Sequence, residues 1–308
     1  MNDILTLNLI TTIIRISTPL AFAALGGLLT FKAGILNIAM DGFMLMAAFV
    51  GVGTAYFTGN LYISVVAAVL SSMILSALFG YFNLKFKANI FIAGTAIGIL
   101  ASGLTAVLLK GVFGQMGVFT AGKVLRFPQY NIPIIKDIPV LRELFSGYTI
   151  LVYMAYILTP VVSFVLYRTK WGLRVRAVGE SPDAAASLGI NVFSIKMQTV
   201  ILSGFFCGLA GAYLSLDYVS LFSRDMTGDR GLIALAAIFF AKGDPVRTVA
   251  VTLLFGTAQG LSVRMQLTAG VAPQIMQIIP YFVTMLALII VGVQAKRKHF
   301  NIEATTAR

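Results

Sequence analysis

The sequence predicts an all-α polytopic membrane protein of about nine transmembrane helices, and three observations carry that expectation. The first is composition: 58% of the 308 residues are hydrophobic and 11% charged, with a mean hydropathy of +0.92. Soluble domains are only about 45–50% apolar. The second is periodic length, because apolar runs of about 20 residues, enough to cross a ~30 Å hydrocarbon core, recur along nearly the whole chain. The third is where the cations lie, since Lys and Arg gather in alternate connections between the runs. No room is left for a sizeable soluble domain, so residues 1–308 read as one membrane domain.

Taken in order, the spans fall at roughly 4–29, 35–57, 61–83, 89–109, 148–167, 195–219, 226–241, 246–264 and 273–293. The N-terminal MNDILTLNLI has no basic leader and runs straight into the first of them. The seventh is distinctive: its apolar core, GLIALAAIFFA, has 11 residues, so it either borrows the polar MTGDR before it or is a half-helix resting on protein. Fourteen of the 23 Lys and Arg fall on one side, in the connection holding Lys32, in that holding Lys85 and Lys87, in 168–194 with Lys196, beside Lys242 and Arg247, and in the tail 294–308. The positive-inside rule makes that side cytoplasmic, leaving the 110–147 loop and the N-terminus outside. The excess of 23 cations over 11 acids then reads as orientation against anionic lipid, with no nucleic acid implied. Cys207, the one cysteine, lies within a span, which excludes an intrachain disulfide.

AGILNIA (33–39), opening span two, and RGLIALA (230–236), opening span seven, share a glycine and the same apolar rhythm. Spans 1–4 and 6–9 then become an inverted repeat, because an odd shift of five crossings reverses the second copy. Glycine-interrupted segments at corresponding places in two inverted halves are where transporters put their substrate path.

The connection 168–194 carries close helix punctuation. Ser181 suits an N-cap, Pro182 the first helical position, Asp183 the positive end of the dipole and Gly189 the left-handed stop, around the helix-forming Ala184–Ala186. A helix over about 182–188 is a rod of ~10 Å, too short to persist alone in water. One reading is an amphipathic turn lying on the bilayer; the other is a peg that fits a groove on a cytoplasmic partner.

GLRVRAVGESPDAAASLGI (172–190), GILNIAMDGFMLMAA (34–48) and TGDRGLIALAAIFFAKGDP (227–245) together resemble the ABC-importer permeases that serve ribose, other simple sugars, nucleosides and branched-chain amino acids. The resemblance covers nearly the whole chain. Asn37, with Asp41 before Gly42, looks closest to the nucleoside and simple-sugar branch, although sugar-branch members often carry an acid where Asn37 stands. It implies a cytoplasmic coupling helix gripped through Gly179, Glu180, Ser181, Pro182, Ala184, Ala185, Leu188 and Gly189. It further implies a second permease subunit, identical or paralogous, two cytoplasmic P-loop ATPases holding ATP and Mg²⁺, and an extracytoplasmic binding protein or lipoprotein. This chain would bind no cofactor itself.

The remaining motifs are weaker. GVFTAGKV (117–124) falls short of a phosphate-binding P-loop because Val124 replaces the Mg²⁺-ligating hydroxyl. His299 in the tail and a single cysteine supply no metal cluster or catalytic nucleophile with a base, so the chain does not read as an enzyme. Candidate pathway residues are Asn37, Asp41, Phe43, Phe91, Ser102 and Gln259. Each has a structural alternative: Asp41 as a helix cap, the amides and hydroxyl as bonds to a neighbouring helix, the rings as core filler. Asp229 and Arg230 can pair with each other, and Asp217 can be interfacial. Gly204–Gly208 and Gly256–Gly260 have the spacing of close helix crossings. The rival function is a secondary transporter or channel working without an ATPase, which leaves the small helix without a purpose.

Overall fold

The computed structural model describes residues 2–120, 127–130, 146–268 and 285. Among these, seven helices are long and apolar enough to cross a membrane: Leu9–Lys32, Met40–Thr58, Leu61–Lys85, Ile90–Phe113, Ile150–Arg168, Val192–Tyr218 and Pro245–Val263. The ninth span expected, at 273–293, lies outside the described residues except for Met285, which is helical. The secondary-structure elements are α1 (Asn2–Lys32), α2 (Met40–Thr58), α3 (Leu61–Lys85) and α4 (Ile90–Phe113), then α5 (Ile150–Arg168), α6 (Lys170–Glu180) and α7 (Pro182–Ser187). After them come α8 (Val192–Ala212), with a π-helical end Tyr213–Tyr218, α9 (Arg230–Phe240) and α10 (Pro245–Thr268). Two short strands, β1 (Val118–Phe119) and β2 (Phe222–Ser223), pair antiparallel and tie the chain after α4 to the chain after α8.

The expected second span is shorter than its apolar run. α1 stops at Gly34, whose φ of 75° ends the helix, with Gly34 N–H bonding Phe31 O at 3.1 Å and Ile35 N–H bonding Thr30 O at 2.9 Å. Residues 35–39 are then non-helical and α2 begins only at Met40. Of the two readings of span seven, the structure shows the half-helix: α9 is 11 residues and about 16 Å long, too short to cross by itself. Asp225, Gly228 and Asp229 all have positive φ in the turns before it, which keeps the polar stretch from joining the helix.

α8 is the hub, with 83% of its most apolar window buried against 33% for α3 and for α4. It packs on α1, α2 and α3. Small residues let the backbones approach: a Cβ on Gly208 would sit 2.7 Å from Val69 Cα, and Ser72 Oγ donates to Gly204 O at 2.7 Å. Gly256 and Gly260 of α10 meet Ser17 and Ile13 of α1 in the same way. The outward faces of α3 and α4 carry Ile74, Ile99 and Val107, apolar residues suited to lipid or another subunit. α1 is also covered by α9 and α10.

Candidate functional site

The connection 168–194 contains two helices where the sequence pointed to one. Thr169 caps α6, its hydroxyl accepting from Gly172 N–H at 3.1 Å, and Gly172, Val175 and Val178 bury one stripe of that helix. Trp171 Nε1 donates to Gln198 Oε1 at 2.8 Å, binding the start of α6 to α8. Arg168, Lys170 and Arg174 are exposed around this stalk.

α7 follows with the expected punctuation. Ser181 Oγ accepts from Ala184 N–H at 3.4 Å and Pro182 is the first helical residue. Gly189, at φ 77°, donates to Ala186 O at 2.9 Å, while Ile190 N–H reaches Ala185 O at 3.1 Å. The helix is six residues, Pro182–Ser187, with Leu188 as its cap, one residue shorter than expected. Of the candidate coupling residues, Ala185 is 2% exposed and roots the peg, and Gly179 is half-buried at its base. Glu180, Ser181, Pro182, Ala184 and Gly189 are exposed, and Leu188 is 81% exposed at the tip. The peg thus stands on a braced stalk and presents an exposed apolar side chain at its tip.

The two broken segments meet. Asp41, in the first turn of α2, accepts from Gly231 N–H at 3.1 Å through one oxygen and from the Thr227 hydroxyl at 2.8 Å through the other. Neither α2 nor α9 has a side-chain cap from its own N-cap residue, Ala39 or Asp229. Asp41 therefore caps α9 from another helix, where two positive dipole ends converge on one carboxylate. Gly231 is required by proximity, since a Cβ there would lie 2.5 Å from Asp41 N. Arg230 closes the preceding turn, Nη1 donating to Met226 O at 3.0 Å and Thr227 O at 2.8 Å.

The other candidates divide. Ser102 Oγ donates to Asp225 Oδ1 at 2.6 Å, so it joins Asp41 at the segment before α9. Asn37 is fully buried, donating to Ser203 Oγ at 2.9 Å and accepting from Ala39 N–H at 3.1 Å, which fastens the non-helical segment to α8. Phe43 is buried edge-on to Phe79 in the core, with ring centroids 6.0 Å apart. Phe91 is 57% exposed at the start of α4. Gln259 Oε1 is buried with no hydrogen-bond partner among the described residues. Asp217 accepts from the Thr149 hydroxyl at the end of α8, beside a cavity of about 170 Å³ that Arg15, Gln129 and Tyr213 also line. Gly231 is the glycine that RGLIALA shares with AGILNIA, whereas Thr227 and Ser203 were not singled out from the sequence; the polar TGDRG before a helix was the available signal for Thr227, and none exists for Ser203.

The chain matches the family described as branched-chain amino acid transport system / permease component over residues 9–291. It is 33% identical to the putative glucose ABC transporter permease protein TsgC13 of Haloferax volcanii, covering 91% of this chain and 90% of that one. It is 32% identical to the nucleoside ABC transporter permease protein NupC of Lactococcus lactis, over 94% and 93% of the two chains. The guanosine ABC transporter permease protein NupQ of Bacillus subtilis is 33% identical over 88% of each.

Proposed function

Because this chain belongs to the branched-chain amino acid transport system permease component family, we propose that it forms the membrane path for nucleosides or simple sugars. It is a multi-pass permease component of an ABC importer, a translocation subunit rather than an enzyme. The same membership disfavours a secondary transporter. The substrate class rests on the nucleoside and sugar permeases that the chain resembles at 32–33% identity.

The working unit in this reading is two permeases, identical or paralogous, with two cytoplasmic P-loop ATPases that hold ATP and Mg²⁺ and an extracytoplasmic binding protein or lipoprotein that delivers solute. The subunit sits in the cytoplasmic membrane with nine crossings, the seventh made by the polar segment 226–229 together with the half-helix α9, its N-terminus outside and its C-terminus inside. Spans 1–4 and 6–9 are inverted copies, a reading supported by the meeting of the two glycine-led breaks at Asp41 and Gly231. The path runs past Asp41 and Ser102, the two candidates that converge on the segment before α9.

The observation that carries the reading is the braced peg. α7 is too short to persist unaided, yet it is capped at both ends, rooted by Ala185 and tipped by an exposed Leu188. A groove on an ATPase would cover Leu188 and pull the peg when ATP closes the ATPase pair. Leu188→Asp tests this: the variant should insert normally and lose co-purification with the ATPase and solute uptake. Unchanged association and uptake would contradict the reading.

A further inference from the structure

The base of the peg lies against the end of α1, backbone on backbone. A Cβ on Gly34 would be 3.3 Å from Gly179 O and 3.4 Å from Gly179 Cα. A Cβ on Gly179 would be 2.9 Å from the carbonyl carbon of Lys32 and 3.2 Å from that of Ala33, and would overlap Lys32 O. The atoms nearest to either position all belong to backbone, which absorbs a displacement less readily than a flexible side chain. Gly179 also comes three residues before Pro182, so the contact is the footing of α7 itself.

From Gly34 the chain reaches α2 within six residues, and that segment is anchored along its length. Ile35 is buried, Asn37 bonds Ser203 of α8, and Asp41 bonds Gly231 and Thr227 at the N-terminal end of α9. The other end of α9 returns to the same turn of α1. Phe239 packs edge-on against Phe31 with centroids 5.5 Å apart, and a Cβ on Gly243 would be 2.8 Å from the Phe31 ring. The half-helix α9 is therefore held at both ends by the segment that the base of the peg touches.

We propose that Gly179 is a positioning residue that transmits movement of the peg through the Gly34 turn to α9, making α9 the element that the ATPase displaces. This rests on the peg being the ATPase contact. A packed backbone contact moves as a unit, whereas side-chain contacts dissipate a shift of this size by changing rotamer. Gly34→Ala wedges a methyl group 3.3 Å from Gly179 O, at a left-handed φ of 75°, and leaves every residue of the ATPase contact untouched.

The experiment compares wild type and Gly34→Ala as assembled importers. The variant should keep its ATPase and its ATP hydrolysis while solute moved per ATP falls about tenfold or more, the loss expected of an overpacked contact that carries the motion. A parallel fall in assembly, hydrolysis and uptake, or no change in the ratio, would overturn the proposal. Hydrogen exchange on the wild-type complex tests it without any variant. A non-hydrolysable ATP analogue should alter exchange in residues 182–189, 34–41 and 230–240 together, and a change confined to 182–189 would overturn it. No nucleotide-dependent change at 182–189 would instead remove the premise that the peg is the ATPase contact.

Discussion

The peg at 181–190 and the junction of 34–41 with 227–231 contrast in what holds them. Every bond that shapes the peg is local, from Ser181, Ala185 and Ala186 to residues no more than five positions away. The junction is held by Asn37 to Ser203 across 166 positions and by Asp41 to Gly231 across 190. The peg is exposed at its tip and the junction has the fully buried Asn37 at its centre. A locally closed, exposed element can be seized and moved without unfolding the subunit, while a buried junction of long-range bonds fixes how the helices around the path stand to one another. Damage to the first should appear as lost partnership, and damage to the second as lost stability.

The sharpest way to break that contrast is Asp41→Leu, which removes a charged acceptor from Gly231 N–H and the Thr227 hydroxyl together. Hydrogen bonds to charged groups contribute about 1.5–3 kcal/mol each, so the purified subunit should lose about 3 kcal/mol or more and melt early, followed by the fluorescence of Trp171. Ser203→Ala comes next. It leaves the buried Asn37 amide without its acceptor, a cost of about 1–3 kcal/mol in the same thermal assay, with ATPase co-purification retained by the fraction that folds. Ser181→Ala should have the smallest effect. Loss of the N-cap costs about 1 kcal/mol, confined to α7, read as faster amide exchange at 184–188 with an unchanged melting temperature. A Ser181→Ala protein that melts as early as Asp41→Leu would erase the distinction between the two regions.

The same contrast explains what the sequence disclosed. Ser181, Pro182 and Gly189 specify the peg because capping chemistry is local, so its place was legible to within one residue. α6 escaped notice because its buried stripe is only Gly172, Val175 and Val178 among arginines, too few apolar positions to set a helical period. The break before α2 was marked by Gly34, but its length was hidden because ILNIA is as apolar as the helix it precedes. Asp41 as a cap was weighed from the sequence, but its target on α9 depends on tertiary packing, as do Thr227 and Ser203. The short apolar core of span seven did give away a half-helix, because length alone decides whether a helix can cross.

The claim that an ATPase grips the peg from the cytoplasm is tested most directly by labelling Leu188→Cys with a membrane-impermeant maleimide, the native Cys207 being buried. The account predicts no labelling at 188 from outside intact cells, ready labelling in inverted vesicles that lack the ATPase, and protection when the ATPase is present. Labelling from the outside, or labelling in inverted vesicles that the ATPase leaves unchanged, would contradict it.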